Sequence, residues 1–321
     1  MLNRRILRIK AFKALYSYAE NAGMDSAGAV GQLRLSCEST RDLYLFMLDI
    51  IPALTDEALS RIEAVKGKIN PTPEELSPNM KFTTNTIAPI LREDPDFRKI
   101  ISKKKISWDQ YDALVRSLYE SIREKEWFKT YLESGANSLQ EDAALFVKIF
   151  EEEFVDNEEL EKILEDLSIF WIDDLAYALT WCCYTMNDFA RGRRWSLPPL
   201  YMSEVIEKKD PTVESDKDFV EKLLRSAVAS YGRYSEMIAA SVTQWEKDRL
   251  FTTDTVLICL GLAEAATFPQ IPVKVTINEY VEISKYYSTP KSRAFVNSLL
   301  DKLIQQLAAE GGIVKSGAGL K

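Results

Sequence analysis

Apolar residues recur at three- and four-residue spacing along almost the whole chain, the period of a helix that buries one face. That spacing predicts an all-α protein, with helices over roughly 3–21, 39–66, 107–134, 138–155, 157–191, 216–247, 252–267, 275–287 and 290–310. Two stretches interrupt it. Lys68–Asp96 carries five of the 12 prolines and reads as an excursion over the surface. Trp195–Asp216 carries three more with a charged run, as a connection between units would. Near the end, Thr276-Ile277-Asn278-Glu279 has the form of a capping box that starts a helix. Thr289-Pro290 sets a capping hydroxyl before a proline at a first helical position. After Glu310 the sequence GGIVKSGAGLK opens on a helix-stopping glycine pair, and 311–321 reads as a disordered tail.

The first helix is apolar on two sides. Leu2, Ile6, Ile9, Phe12 and Tyr16 project to one side, and Leu7, Ala11, Ala14 and Leu15 to the other, which is the pattern of a helix buried between others. Arg4, Arg5 and Arg8 fall within about 100° of arc at its start. Such a cationic tip serves either to meet an anion or to cap a core helix with solvated heads.

Composition narrows the chemistry. The 321 residues are 46% hydrophobic and 28% charged, ordinary for a globular protein, and no apolar run approaches the length of a membrane span. The basic start lacks the apolar core of a signal peptide, so a cytoplasmic protein is expected. There is no histidine, which removes His-based nucleophilic catalysis and His-ligated metals. Cys37, Cys182, Cys183 and Cys259 lack metal-ligand spacing, and no glycine-rich phosphate loop follows a strand. Asp173-Asp174 has no third acid at helical spacing for a diphosphate-metal motif. No cofactor and no metal are expected, and the chain reads as a non-enzyme.

The net charge of −8 leaves room only for local basic patches. Arg98, Lys99, Lys103, Lys104 and Lys105 form one, readable as a phosphate contact or as a solvated loop. Glu151–Glu153 and DNEELEKILED at 156–166 concentrate acid, as a solvated helix face does. Glu279 and Glu282 share a helix face, but the first closes the capping box and the second can pair with Lys285.

Three separated blocks resemble the NusB family, in the family's order. The first is Arg4-Arg5-x-x-Arg8 followed by Lys13-Ala14-Leu15-Tyr16. The second comprises Phe219, Leu223, Leu224 and Val228, then Trp245-x-x-Asp248-Arg249-Leu250, then Asp254 to Glu264. The third is Ile277-Asn278-Glu279-x-Val281-Glu282-x-x-Lys285 followed by Phe295-Val296-Asn297-x-x-Leu300. The resemblance covers about 1–20 and 216–307. It therefore implies a NusB-like helical domain made of 1–20 and 216–310, with 21–215 as a large helical insertion. Cys259, where the family usually has Arg, and Ala263, where it has Tyr, depart in ways that could alter partner contacts. Lys291 stands at an often acidic position and adds charge that favours RNA.

The resemblance implies an RNA-binding transcription antitermination factor. It would bind boxA-like single-stranded RNA together with ribosomal protein NusE, within a transcription elongation complex. Such RNA needs cations along its phosphates and aromatic faces under its unstacked bases. The residues matching that need are Arg4, Arg5, Arg8, Tyr16, Lys291, Arg293 and Phe295, with Glu264 on the partner side. Two alternatives remain: a scaffold that binds only proteins, and an RNA-modifying enzyme, for which the chain offers no nucleotide-binding unit.

Overall fold

The structure is a computed structural model that describes residues 1–320 except 66–67, 71, 73–75, 208–213 and 243–250. The chain divides into two compact units, Met1–Cys37 with Pro199–Lys321, and Glu38–Pro198. The first unit begins with α1 (Arg4–Glu20) and the leading part of α2 (Ser26–Leu48). The second takes the rest of α2, then α3 (Ile50–Val65), α4 (Ile87–Glu93), α5 (Pro95–Lys104) and α6 (Asp112–Glu124). It continues through α7 (Glu126–Glu133), α8 (Leu139–Glu152), α9 (Glu158–Leu167) and α10 (Leu175–Ala190). The first unit resumes with α11 (Ser203–Glu207), α12 (Asp216–Ser241), α13 (Thr252–Thr267), α14 (Val273–Tyr287) and α15 (Ser292–Ala309). No strand occurs among the described residues, and the all-α expectation holds. None of the described helices is long and apolar enough to cross a membrane.

In the first unit α13 is the central helix. Every residue from Asp254 to Ala265 is buried, because the segment is apolar all round and α1, α12, α14 and α15 pack about it. At Gly261 a Cβ would stand 2.7 Å from Leu300 Cδ2, so the missing side chain is what lets α15 approach. The two-sided α1 is buried as its pattern predicts, with Leu7, Ala11, Phe12, Ala14 and Leu15 in the core. Asn3 caps it by accepting the Ile6 amide at 3.1 Å. Ahead of it, Leu2 forms a parallel bridge with Tyr201, and the Met1 ammonium donates to the Pro199 carbonyl.

Several boundaries differ from the sequence reading. Helix α2 starts at Ser26 rather than near 39, because Gly28 and Gly31 dilute the apolar period while Asp25 accepts the Gly28 amide at 2.7 Å. Its residues Ala29, Val30, Leu33 and Cys37 join the core of the first unit. That unit therefore reaches Cys37 and resumes at Pro199, not at the 20 and 216 taken from the resemblance. The single helix expected over 39–66 breaks at Asp49, and that over 157–191 breaks between Leu167 and Leu175. The proline-rich excursion contains α4 and α5, with Pro95 at the first position of α5 and Asp94 as its cap.

Two further corrections concern the C-terminal segments. The capping box does not form: α14 begins at Val273 after Pro272, so Thr276 lies inside it and is fully buried. The Thr289-Pro290 start is displaced as well, with α15 beginning at Ser292. The expected disordered tail packs instead. Ile313 is buried, and Lys315 Nζ donates to the carbonyls of Ala265 (2.8 Å) and Phe268 (3.1 Å) at the end of α13.

In the second unit an aromatic core replaces the long aliphatic helix. Phe46 stacks on Trp108 at 4.2 Å, and the Trp108 Nε1 donates to the Phe46 carbonyl. Elsewhere in it the Tyr44 hydroxyl meets Thr185 Oγ1 at 2.8 Å and accepts Trp195 Nε1 at 3.0 Å.

Candidate nucleic-acid interface

The three arginines of α1 each hold a carboxylate from a later helix or the segment before it. Arg4 donates to Asp216 Oδ1 and Glu214 Oε2, both at 3.1 Å, with its guanidinium 4.6 Å over the Phe219 ring. Arg5 forms a bidentate pair with Glu279 at 2.8 and 3.0 Å. The Arg5 hydrogen bond is the main cause that holds the Glu279 carboxyl below its usual range, and burial works the other way. Arg8 is only 4% exposed and grips the fully buried Glu264 through Nε (2.7 Å) and Nη2 (2.8 Å). Burial opposes the Arg8 charge, but the hydrogen-bonded Glu264 outweighs it and its pKa rises.

Two expected roles are thereby corrected. Arg8 cannot face a phosphate, since its head is consumed inside the fold. Glu264 cannot face a partner, since Arg8, Thr276 Oγ1 (2.9 Å) and the Tyr280 hydroxyl (3.1 Å) enclose it. Arg4 and Arg5 remain partly exposed, but both are paired. Cys259 and Ala263 are fully buried in α13, so those departures from the family pattern are internal repackings. Burial pushes the Cys259 thiol up to about 12, with Ser235 Oγ 3.9 Å away. The Trp245-x-x-Asp248-Arg249-Leu250 motif lies outside the described residues.

Further along α1 the character of the surface changes from paired charge to aromatic faces. Phe12 lies 6.4 Å from Tyr16 and 5.2 Å from Tyr287, ring to ring, and Lys13 Nζ sits 5.7 Å over the Tyr287 ring. Tyr16 is exposed, and Tyr286 beside Tyr287 is 81% exposed. A turn then leads to α15. Asp254 fixes it by accepting Ser288 Oγ at 2.6 Å and Ser292 Oγ at 2.8 Å, and the Thr289 and Ser292 hydroxyls meet at 2.9 Å. Burial raises the Asp254 carboxyl, and these two serines pull it part of the way back.

The turn presents Lys291 and Arg293, both exposed, at the amino end of an 18-residue helix whose first amides and dipole favour anions. Among the described residues neither comes within ion-pair distance of a carboxylate. Phe295 is half-buried against the core. Glu282 links the two ends of the face: Lys285, 2.5 Å away, is the main cause that lowers its carboxyl, and Arg293 and Arg5 add to the effect. So Arg5, Tyr16, Lys291, Arg293 and Phe295 are brought to the surroundings of α14, while Arg4 is tied to Glu214 and Asp216.

The sequence reading missed Lys13, Tyr286 and Tyr287 as members of this face. A tandem tyrosine directly before Ser-Thr-Pro-Lys was the available signal. The cationic run at 98–105 belongs to the other unit, where Lys104 pairs with Asp42 at 2.5 Å.

Comparison with known proteins bears on the same unit. The sequence model of the NusB family matches residues 195–305. The transcription antitermination protein NusB of Salinibacter ruber is 35% identical over 106 residues, 33% of this chain and 66% of that one. Its namesake in Chloroherpeton thalassium is 38% identical over 104 residues, 32% of this chain and 49% of that one. That of Methylacidiphilum infernorum is 38% identical over 95 residues, 30% of this chain and 66% of that one. The matched region thus spans about half to two thirds of these relatives. No solved structure matches the chain. Since 106 residues are 33% of this chain but 66% of the Salinibacter protein, this chain is about twice as long. Residues 195–305 thus form a NusB-family domain, in a chain longer than these relatives, consistent with an added region.

Proposed function

We propose that the chain is a transcription antitermination factor that binds a short boxA-like single-stranded RNA, with NusE as its protein partner in the elongation complex. The observation that carries this reading is the cationic turn at Lys291 and Arg293, unpaired among the described residues and beside exposed tyrosines, in a domain of the NusB family. Cations that fold-internal carboxylates have not neutralised are free to follow phosphates, and Tyr16, Tyr286 and Phe295 offer faces for unstacked bases. In this reading Arg4, Arg5 and Arg8 mainly hold α1 in place, with Arg5 able to exchange Glu279 for a phosphate at the edge of the site.

The test is fluorescence anisotropy of a labelled boxA-like RNA, with and without NusE, across a salt series. Lys291→Glu with Arg293→Glu is expected to weaken binding at least tenfold and to flatten the salt dependence by about two charges. Added NusE is expected to tighten binding to the parent chain. Unchanged affinity in the double variant removes the turn from the site. Arg5→Glu is a less clean probe, because it sets a second carboxylate against Glu279.

A further inference from the structure

We propose that the groove between α9 and α10 in the 38–198 unit docks a cationic amphipathic helix of a protein partner. Phe154, Leu164 and Leu179 form its buried floor, and Val155 (55% exposed) and Ile172 (51% exposed) stand open on its walls. The cavity of about 330 Å³ is at the low end for ligand pockets and accepts two or three apolar side chains, as a helix laid in a groove would supply. Ile169, 68% exposed, extends the apolar surface at the turn after α9. Exposed aliphatics gathered at one concavity differ from the scattered ones any surface carries.

Charge specifies the occupant. Asp156, Glu161, Glu165 and Asp173 line the groove, and α9 also carries Glu158, Glu159 and Asp166 against one cation, Lys162. Glu158, Glu159 and Glu161 lie in the first turn of α9, where the helix dipole welcomes them and folding alone explains them. Glu165 and Asp166 lie at the opposite end, where the dipole repels them and no basic residue offsets it. Among the described residues no cation comes within ion-pair distance of either. Glu165, kept at a helix end that disfavours it and lining the groove with the open aliphatics, matches lysines or arginines flanking an apolar stripe. A helix of α9's length, about 15 Å, would span the groove in two to three turns.

The probe is a fluorescein-labelled 14-residue peptide with leucines at i, i+3, i+4 and i+7 and lysines elsewhere, titrated with the full chain at 150 mM salt. Three comparisons accompany it: Val155→Ser with Ile172→Ser, Glu165→Lys with Asp166→Lys, and a peptide with glutamates in place of lysines. Saturable binding is expected, at least tenfold weaker in each variant and lost with the glutamate peptide. The lysine variant relieves the dipole conflict, so thermal melting should show no loss of stability and separate docking from folding. Equal binding by parent and variants, or none by the parent, overturns the proposal. Sedimentation showing instead an Ile172-dependent dimer would also overturn it, by making a second copy the occupant.

Discussion

Glu264 accepts four hydrogen bonds, two from Arg8 and one each from Thr276 and Tyr280, with no exposure to solvent. Its value to the fold lies less in the attraction than in what its loss would strand. Glu264→Ala leaves a guanidinium that is 4% exposed with no hydrogen-bonded counter-charge and only Glu279, 3.8 Å away and already held by Arg5, a change that costs about 3–5 kcal/mol. Urea unfolding should show that loss, and Arg8→Met with Glu264→Leu should recover only part of it, since an apolar pair replaces the ions but leaves the buried Thr276 and Tyr280 hydroxyls without their acceptor. At this scale the sequence was only half legible. That α1 begins with three arginines was plain, and so was the resemblance that pointed them at RNA. What could not be read was that each already had a carboxylate waiting more than 200 residues later, at Asp216, Glu279 and Glu264. Lys291 and Arg293 stand instead at a turn where, among the described residues, no carboxylate comes within ion-pair distance of either.

Among the helices, α13 and α15 were read almost to the residue, because their apolar period runs without interruption into clear stops. Helix α14 was placed but its start was not. Pro272 opens it four residues before Thr276, and the Thr and Glu of the apparent capping box serve Glu264 and Arg5 instead. A local motif lost to tertiary partners, which sequence spacing does not encode. Glycine misled in α2, where Gly28 and Gly31 hid its leading turns, but not in α13, where Gly261 marks a contact. Gly261→Ala gains up to ~1 kcal/mol of helix propensity but drives a Cβ to 2.7 Å from fully buried Leu300, and overpacking costs about 1–3 kcal/mol. Gly232→Ala, at an exposed position of α12 with nothing within 4 Å, has only the gain. The two variants should therefore move the melting temperature in opposite directions, Gly261→Ala down and Gly232→Ala up.

Over the whole chain the two units divide at Cys37 and Pro199, whereas the resemblance set the borders at 20 and 216. The resemblance covers what family members share, and it is silent on Ala29, Val30 and Leu33, which pack into the first unit's core. It is silent too on the tail, where Lys315 donates to two carbonyls at the end of α13. Lys315→Ala should cost about 1–2 kcal/mol in thermal unfolding, because those carbonyls lose their donor in a partly buried site. The order of these segments also governs how the chain is made. Helix α1 packs against α12 and α13, yet leaves the ribosome before them, and at ~5–20 residues per second the last of α12 follows roughly 10–40 s later. Through that interval a helix with two apolar sides has nowhere to bury them. The unit that takes Leu7, Ala11 and Leu15 into its core closes only after α12 to α15 have been synthesised.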